Sequence, residues 1–313
     1  MTGAVDIGGT KIAAGIVNED GRVLAKRESP TDAESGYPNG LERIIGMLRE
    51  VAQESQTEIR GIGIGSTGPV DPFTGEYGDV DFLPTWKGKN LVQDLQSVFG
   101  VRAAVENDGD ASALAEAGWG AGKNKRNLIY ITVGTGIGGG IILNGQLYRG
   151  VDGAHPEVGH QVIDPSGPAC SCGYHGCWES LAAGPAMVAW MESQSPANSS
   201  LLGELTAEQI CQLSQQGDGL AQQAVEREAE YLGLGLANLI NLFTPDTIVL
   251  GGSVMKSAVL FLEGIRKVIC RGCRFVPYEK TELALASLGE DANLIGAAMV
   301  WHHRFGKGAW RAS

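Results

Sequence analysis

Residues 132–144 read TVGTGIGGGIILN, and residues 6–18 read DIGGTKIAAGIVN. Laid one on the other without a gap, they match Gly8 with Gly134, Ile16 with Ile142 and Asn18 with Asn144. Each starts as an apolar strand, bends at a glycine turn and returns as a second apolar strand, so each predicts a β-hairpin. One design used twice predicts duplicated halves that face each other.

Outward from the first hairpin, a turn at Asn18-Glu19-Asp20-Gly21 leads into a further strand. Residues 41–52 then place Leu41, Ile44, Ile45, Leu48, Val51 and Ala52 on one helical face, and GIGIG (61–65) predicts a buried strand. A strand over Val101–Val105 runs into Glu106-Asn107-Asp108-Gly109-Asp110, with the helix-like ASALAEAGWG after it. Outward from the second hairpin, residues 184–243 are mostly helical. The strand TIVLGG (247–252), a helix around 257–269, the strand TELALAS and a helix over Ala292–Phe305 follow. The alternation predicts a mixed α/β architecture. SQSPANSS (193–200) is the stretch that reads as a flexible loop.

With 313 residues, 43% of them hydrophobic, the chain can bury a large core, and its length favours about two domains. Its 46 glycines, roughly twice average usage, imply many tight turns and close backbone approaches to a ligand. A formal charge of −12 argues against nucleic acid or an anionic membrane as partner. No apolar run is long enough to span a bilayer, and the N-terminal stretch lacks the basic region and cleavage site of a secretory leader. The expected location is the cytosol, where thiols stay reduced and grouped cysteines bind metal or do redox chemistry.

Three glycine turns lie beside strands: Asp6-Ile-Gly-Gly-Thr-Lys11, Gly134-Thr-Gly-Ile-Gly-Gly-Gly140 and Leu250-Gly-Gly-Ser253. Any one alone reads as an ordinary tight turn. Together they point to phosphate binding, with the hydroxyls of Thr10 and Thr135 adding donors to the backbone N–H groups. None is a P-loop, and GTGIGG leads into a strand, against a dinucleotide fingerprint. Asp108, at a strand's end, suits a base that takes a proton from a substrate hydroxyl. On the residues alone, Asp108 or Asp110 suits better the cap of the helix that follows, and the two roles can coexist, one for each Asp.

His155-Pro-Glu157-Val-Gly-His160 has neither the order nor the helical setting of a zinc protease. Glu157 and His160 suit hydrogen bonds to vicinal hydroxyls, and His155 reads as a surface or turn residue. Cys170, Cys172 and Cys177 follow His160 closely and offer a Cys3His set for structural zinc, with buried or free thiols as the alternative. Cys270 and Cys273 read as ordinary semi-buried cysteines, Cys211 carries no signal, and His302-His303 reads as solvent-facing.

With DIGGTK, GPVD (68–71), ENDGDASALAE, TVGTGIGGGI, HPEVGH, CSCGYHGCWE and IVLGGSV in this order, the chain closely resembles the ROK family of bacterial sugar kinases and sugar-responsive repressors. The resemblance implies an actin-like (ribonuclease-H-like) α/β fold with two lobes closing over a cleft: 1–115 plus 292–313, and 116–291 with the zinc loop. It implies ATP-dependent phosphorylation of a hexose at the 6-hydroxyl, with ATP and Mg2+ as cofactors, structural Zn2+ and a homodimer or higher homo-oligomer. On that resemblance Asp108 is the general base, and Gly68, Asn107, Glu157, His160 and Glu179 bind the sugar. His160 would serve both zinc and sugar through its two ring nitrogens. Asp6, Gly8, Gly9, Thr10 and Lys11 would face phosphates and magnesium, with Thr135 and Gly136 opposite and Gly251-Gly252 near the nucleoside.

The sugar expected is glucose. Asp81-Phe-Leu-Pro-Thr-Trp86 and Gly109-Asp110 depart from the family's glucokinases, while HPEVGH is similar to its fructokinases and NDGD with CSCGYHGC to its N-acetylmannosamine kinases. A repressor needs a DNA-binding domain ahead of the kinase-like lobes, and the DIGGT turn begins at residue 6, so an enzyme is expected over a repressor or a non-catalytic sensor.

Overall fold

The computed structural model describes residues 1–194 and 205–306. The loop expected over 193–200 falls mostly outside these residues, Ser193 and Gln194 being the end of a helix. Strands β1 (Thr2–Ile7), β2 (Lys11–Val17) and β3 (Val23–Pro30) form an antiparallel meander. After helix α1 (Gly36–Glu54), β4 (Gly61–Ser66) pairs parallel with β1. Helix α2 (Leu91–Phe99) leads to β5 (Ala103–Asn107), parallel to β4, and helix α3 (Asp108–Gly118) follows without a break. The sheet order is β3-β2-β1-β4-β5.

The second half repeats this plan. Strands β6 (Leu128–Val133), β7 (Ile137–Leu143) and β8 (Gln146–Leu147) are followed by helices α4 (Trp178–Ala182), α5 (Gly184–Gln194), α6 (Ala207–Gln215) and α7 (Gly219–Phe243). Then come β9 (Thr247–Gly251), α8 (Leu262–Gly272), β10 (Glu282–Leu285) and α9 (Ala292–Phe305). The second sheet runs β8-β7-β6-β9-β10, the same order with each strand replaced by its counterpart. The duplication expected from the paired glycine turns is therefore present in the topology.

Packing divides the chain into one unit of 1–128, 140–156 and 286–313 and another of 129–139 and 157–285. The expected lobe boundary after residue 115 falls inside α3, which stays whole in the first unit, and residues 140–156 go with that unit as well.

In the first unit the GIGIG run shows its logic. Side chains alternate across a strand, so Ile62 and Ile64 enter the main apolar core with Val5, Ile7, Ile44, Leu48 and Trp86, while the glycines face α9. Burying each isoleucine contributes about 1.5–3 kcal/mol. A Cβ at Gly63 would stand 1.8 Å from the Ala297 carbonyl oxygen, so only glycine lets the helix backbone lie this close. Glu116, buried in α3, accepts N–H groups from Ala121 (2.8 Å), Ser287 (2.9 Å) and Leu288 (3.3 Å), which ties three segments together.

In the second unit α7 is the central helix, packed by α4, α5, α6 and α8. The helix expected around 257–269 is split: 254–260 winds as 3-10 turns before α8. His302 and His303 are half-buried, against the expected solvent-facing pair, because α9 packs on β1, β4 and α3. His302 Nε2 lies 3.1 Å from Thr2 Oγ1, and its ring meets Trp119 and Trp301 edge to face. Among the described residues no helix is long and apolar enough to cross a membrane.

Candidate functional site

In the first unit β5 delivers Asn107 and Asp108 to the start of α3. Asn107 is the N-cap, its Oδ1 accepting the Gly109 N–H at 2.8 Å. The capping role weighed for Asp108 or Asp110 is thus taken by Asn107. Gly68 adjoins it, since a Cβ there would lie 3.4 Å from Asn107 Nδ2. Asp108 keeps an accessible face, yet burial by the surrounding protein outweighs the Gly109 N–H (2.9 Å) and raises its carboxyl above the usual range.

Asp6, the penultimate residue of β1, is buried and accepts the Asn293 side-chain N–H at 3.1 Å. Burial pushes it up to about 6, and repulsion from Asp108 adds to the rise, so the two carboxylates sense one another. The Gly8 N–H closes the turn onto the Lys11 carbonyl at 2.9 Å. Gly9 is partly open and Thr10 and Lys11 are exposed, with Lys11 Nζ on Glu28 at 2.9 Å, an open ion pair that adds little stability. His155 lies in an irregular segment, as the turn reading allowed, but it is half-buried and not a surface residue. It is only 15% exposed, with Nδ1 2.9 Å from an Asp110 oxygen that is itself buried, so its neighbour is a carboxylate and not solvent.

In the second unit the metal donors converge. One donor atom from each of His160, Cys170, Cys172 and Cys177 lies within 4.8 Å of all the others. Cys172 Sγ to Cys177 Sγ is 3.5 Å, and Cys170 Sγ to His160 Nδ1 is 3.5 Å. Tetrahedral zinc bonds to sulfur and nitrogen require about 3.8 Å and about 3.5 Å for such pairs. The donors therefore fit zinc. The turn is built locally: the Cys170 N–H donates to the Tyr174 carbonyl (2.8 Å), and residues 169 and 175 bridge, as do 162 and 177. Gly176 has φ +70°, and a Cβ there would strike the Asp164 carbonyl oxygen at 1.6 Å.

Cys177 precedes α4, which places Glu179 in the helix's first turn. Its Oε2 accepts the Ile137 N–H at 2.9 Å, and a Cβ on Gly136 would lie 2.3 Å from the same oxygen. The second glycine turn and the metal loop are thus joined through one carboxylate. Glu157 is exposed, just ahead of the short turn that carries His160.

Beside the same turn lies a cavity of about 550 Å³ lined by Gly134, Thr135, Pro185, Cys211, Ser253 and Lys256, among others. The Gly184 N–H donates to the Gly134 carbonyl at 2.8 Å, fixing α5 at its rim. β9 ends at Gly251, Gly252 follows it, and both lie against β6, while Ser253, the next residue, reaches the cavity. The volume is in the range that takes small ligands and cofactors. Cys273 is buried, whereas Cys270 is exposed and accepts the Tyr278 hydroxyl at 3.1 Å. Sequence reasoning missed Cys211 as a cavity residue, and it missed Arg149 and Arg304 beside Glu106, since no local pattern marks them.

Two five-stranded sheets of matching order, each with its glycine turn, make this an actin-like ATPase fold. The chain belongs to the ROK family, whose family model matches residues 2–304. It is 35% identical to the Streptomyces coelicolor glucokinase, over 95% of this chain and 96% of that one. A Streptomyces griseus ROK family glucokinase, solved in complex with glucose and AMPPNP, is 34% identical with a TM-score of 0.77, over 95% of this chain and 97% of that one. The Bacillus subtilis xylose repressor is 33% identical over 77% of this chain and 60% of its own length.

Proposed function

We propose that the protein is an ATP-dependent hexose kinase acting on the 6-hydroxyl of glucose. The observation that carries this reading is Asp108: an accessible carboxylate whose surroundings raise its proton affinity, at the first turn of α3 and directly after a capping asparagine. Full-length similarity to glucokinases supports it, as does the match to a relative that holds glucose and AMPPNP.

In this reading Asp108 accepts the proton of the sugar 6-hydroxyl as that oxygen bonds to the γ-phosphorus and ADP leaves with the broken bond's electrons. A burial-raised carboxyl is a stronger base than a free one. Gly68, Asn107, Glu157, His160 and Glu179 hold the remaining hydroxyls. Bound Mg2+ supplies charge neutralisation on the phosphates, and Asp6 with the Gly8–Lys11 turn would hold it there. Thr135 and Gly136 contact phosphate, and Gly251 and Gly252 lie toward the nucleoside, with the adjoining cavity taking the base. Zn2+ on His160, Cys170, Cys172 and Cys177 supplies a fixed cross-link that orients His160 and Glu179.

A coupled ADP-release assay with glucose, fructose, mannose and N-acetylmannosamine tests this, with the highest kcat/KM expected for glucose. A higher value for fructose or N-acetylmannosamine would replace the sugar and keep the kinase. Similarity to xylose repressors favours a second reading, a sugar-binding regulator, which gains if glucose binds in calorimetry and no sugar releases ADP.

A further inference from the structure

Glu106 lies one residue before Asn107 and two before Asp108, at 2% side-chain exposure. Alternation along β5 sends Asn107 toward Gly68 and Glu106 the other way. There two guanidiniums meet it. Arg149 Nε donates to Glu106 Oε2 at 3.1 Å and its Nη2 to Oε1, a two-pronged pairing. Arg304, on α9, donates from Nη2 to Oε1 at 2.7 Å and from Nη1 to the Pro72 carbonyl. The side chains of Arg149 and Arg304 are 16% and 23% exposed, so none of the three charges is freely solvated.

The loop reached by Arg304 begins at Gly68. Asp71 Oδ1 folds it by accepting N–H groups from Phe73 (2.7 Å) and Thr74 (3.1 Å), and the Phe73 ring lies 5.8 Å from the Arg149 guanidinium carbon. Segments around residues 72, 106, 149 and 304 therefore meet behind the Asn107–Asp108 step. Asp71 and Asp110 add their charges to this cluster, and His303 beside it is pushed down to about 4 by burial first and then by the two arginines.

A buried carboxylate with paired guanidiniums is a poor way to gain stability, because desolvation offsets most of the attraction. Its use here is geometric: a planar fork admits one orientation of the carboxylate and so fixes the strand end. Resting on the kinase reading above, we propose that Arg149 and Arg304 are positioning residues for the acceptor site, clamping Glu106 and the 68–73 loop so that Asn107 and Asp108 meet the sugar in one register.

The test compares wild type with Arg304→Met, Arg304→Lys and Arg149→Lys. In ligand-free protein, hydrogen exchange at the amides of 107–110 is expected to rise at least tenfold in Arg304→Met. With the best hexose of the panel, KM for sugar should rise at least fivefold and kcat should fall, while KM for ATP stays within twofold. Arg304→Lys keeps the charge and one bond, and should recover part of both effects. If Arg304→Met does not fold, Arg149→Lys gives the same readout in milder form, since it removes the fork and keeps the charge. A lower melting temperature with exchange and sugar KM both within twofold of wild type would overturn the proposal and leave the cluster a structural one. Exchange needs no turnover, so the two failures differ: an active wild type whose variants exchange normally sinks the clamp, and an inactive wild type sinks the kinase.

Discussion

Replacing Gly136 with alanine tests the joint between the glycine turn and the metal loop. The new Cβ would fall 2.3 Å from Glu179 Oε2, about 1 Å closer than such atoms pack. The atom struck is the tip of a side chain, so the carboxylate swings aside and the fold survives. What is lost is the charged hydrogen bond to the Ile137 N–H, 2.9 Å long, worth about 1.5–3 kcal/mol. At 1.4 kcal/mol per factor of ten this predicts roughly a 10- to 150-fold fall in kcat/KM if the joint holds the reacting groups in place. Steady-state kinetics on Gly136→Ala, Glu179→Gln and the double variant measures it. Both single changes act on one bond, so their costs should fail to add. A kcat/KM within twofold of wild type for Gly136→Ala, or strict additivity in the cycle, would refute the reasoning.

Asp108→Asn should lower kcat by about 10²–10⁴ with glucose binding in calorimetry nearly unchanged, and near-normal turnover would remove Asp108 as the base. Cys172→Ala, checked by metal analysis, should lose zinc and show weaker glucose binding together with a lower melting temperature; unchanged affinity in proven zinc-free protein counts against the clamp. Glu228, in α7, is fully buried and makes no hydrogen bond among the described residues, and burial raises its carboxyl well above 4.5. Folded protein keeps this proton while the unfolded chain releases it, so stability falls as pH rises above 4.5, by about 1.4 kcal/mol per unit until the folded value is passed. Glu228→Met should flatten that slope and raise the urea midpoint at pH 7.5; an unchanged slope would show that Glu228 is not its source.

Local patterns carried the fold. GIGIG announced a buried strand because its two faces differ, and the repeated glycine turns announced the duplicated sheets because each hairpin is written in a few consecutive residues. The metal loop was legible for the same reason, its four donors lying within eighteen positions. The cap was misplaced because an acid near a helix start resembles one, and the cap depends on which side chain reaches the Gly109 N–H; the pairing of His155 with Asp110 left no signal because the two are far apart in the chain. Glu106, Arg149 and Arg304 left no signal, since the partners are 43 and 198 residues apart and only packing brings them together.

The close seat of α9 on the glycine face of β4 also bears on how the chain is made. Ala4, Ala13 and Val17 share an apolar cluster with Leu294, Ala297 and Ala298, so this side of the first sheet is closed by the last helix. At ribosomal speeds α9 is synthesised roughly 10–40 s after β5. Until then the glycine face of the nascent sheet has no cover. A nascent chain stopped short of Ala292 would stay in that state, and supplying the missing helix in trans would be the way to release it.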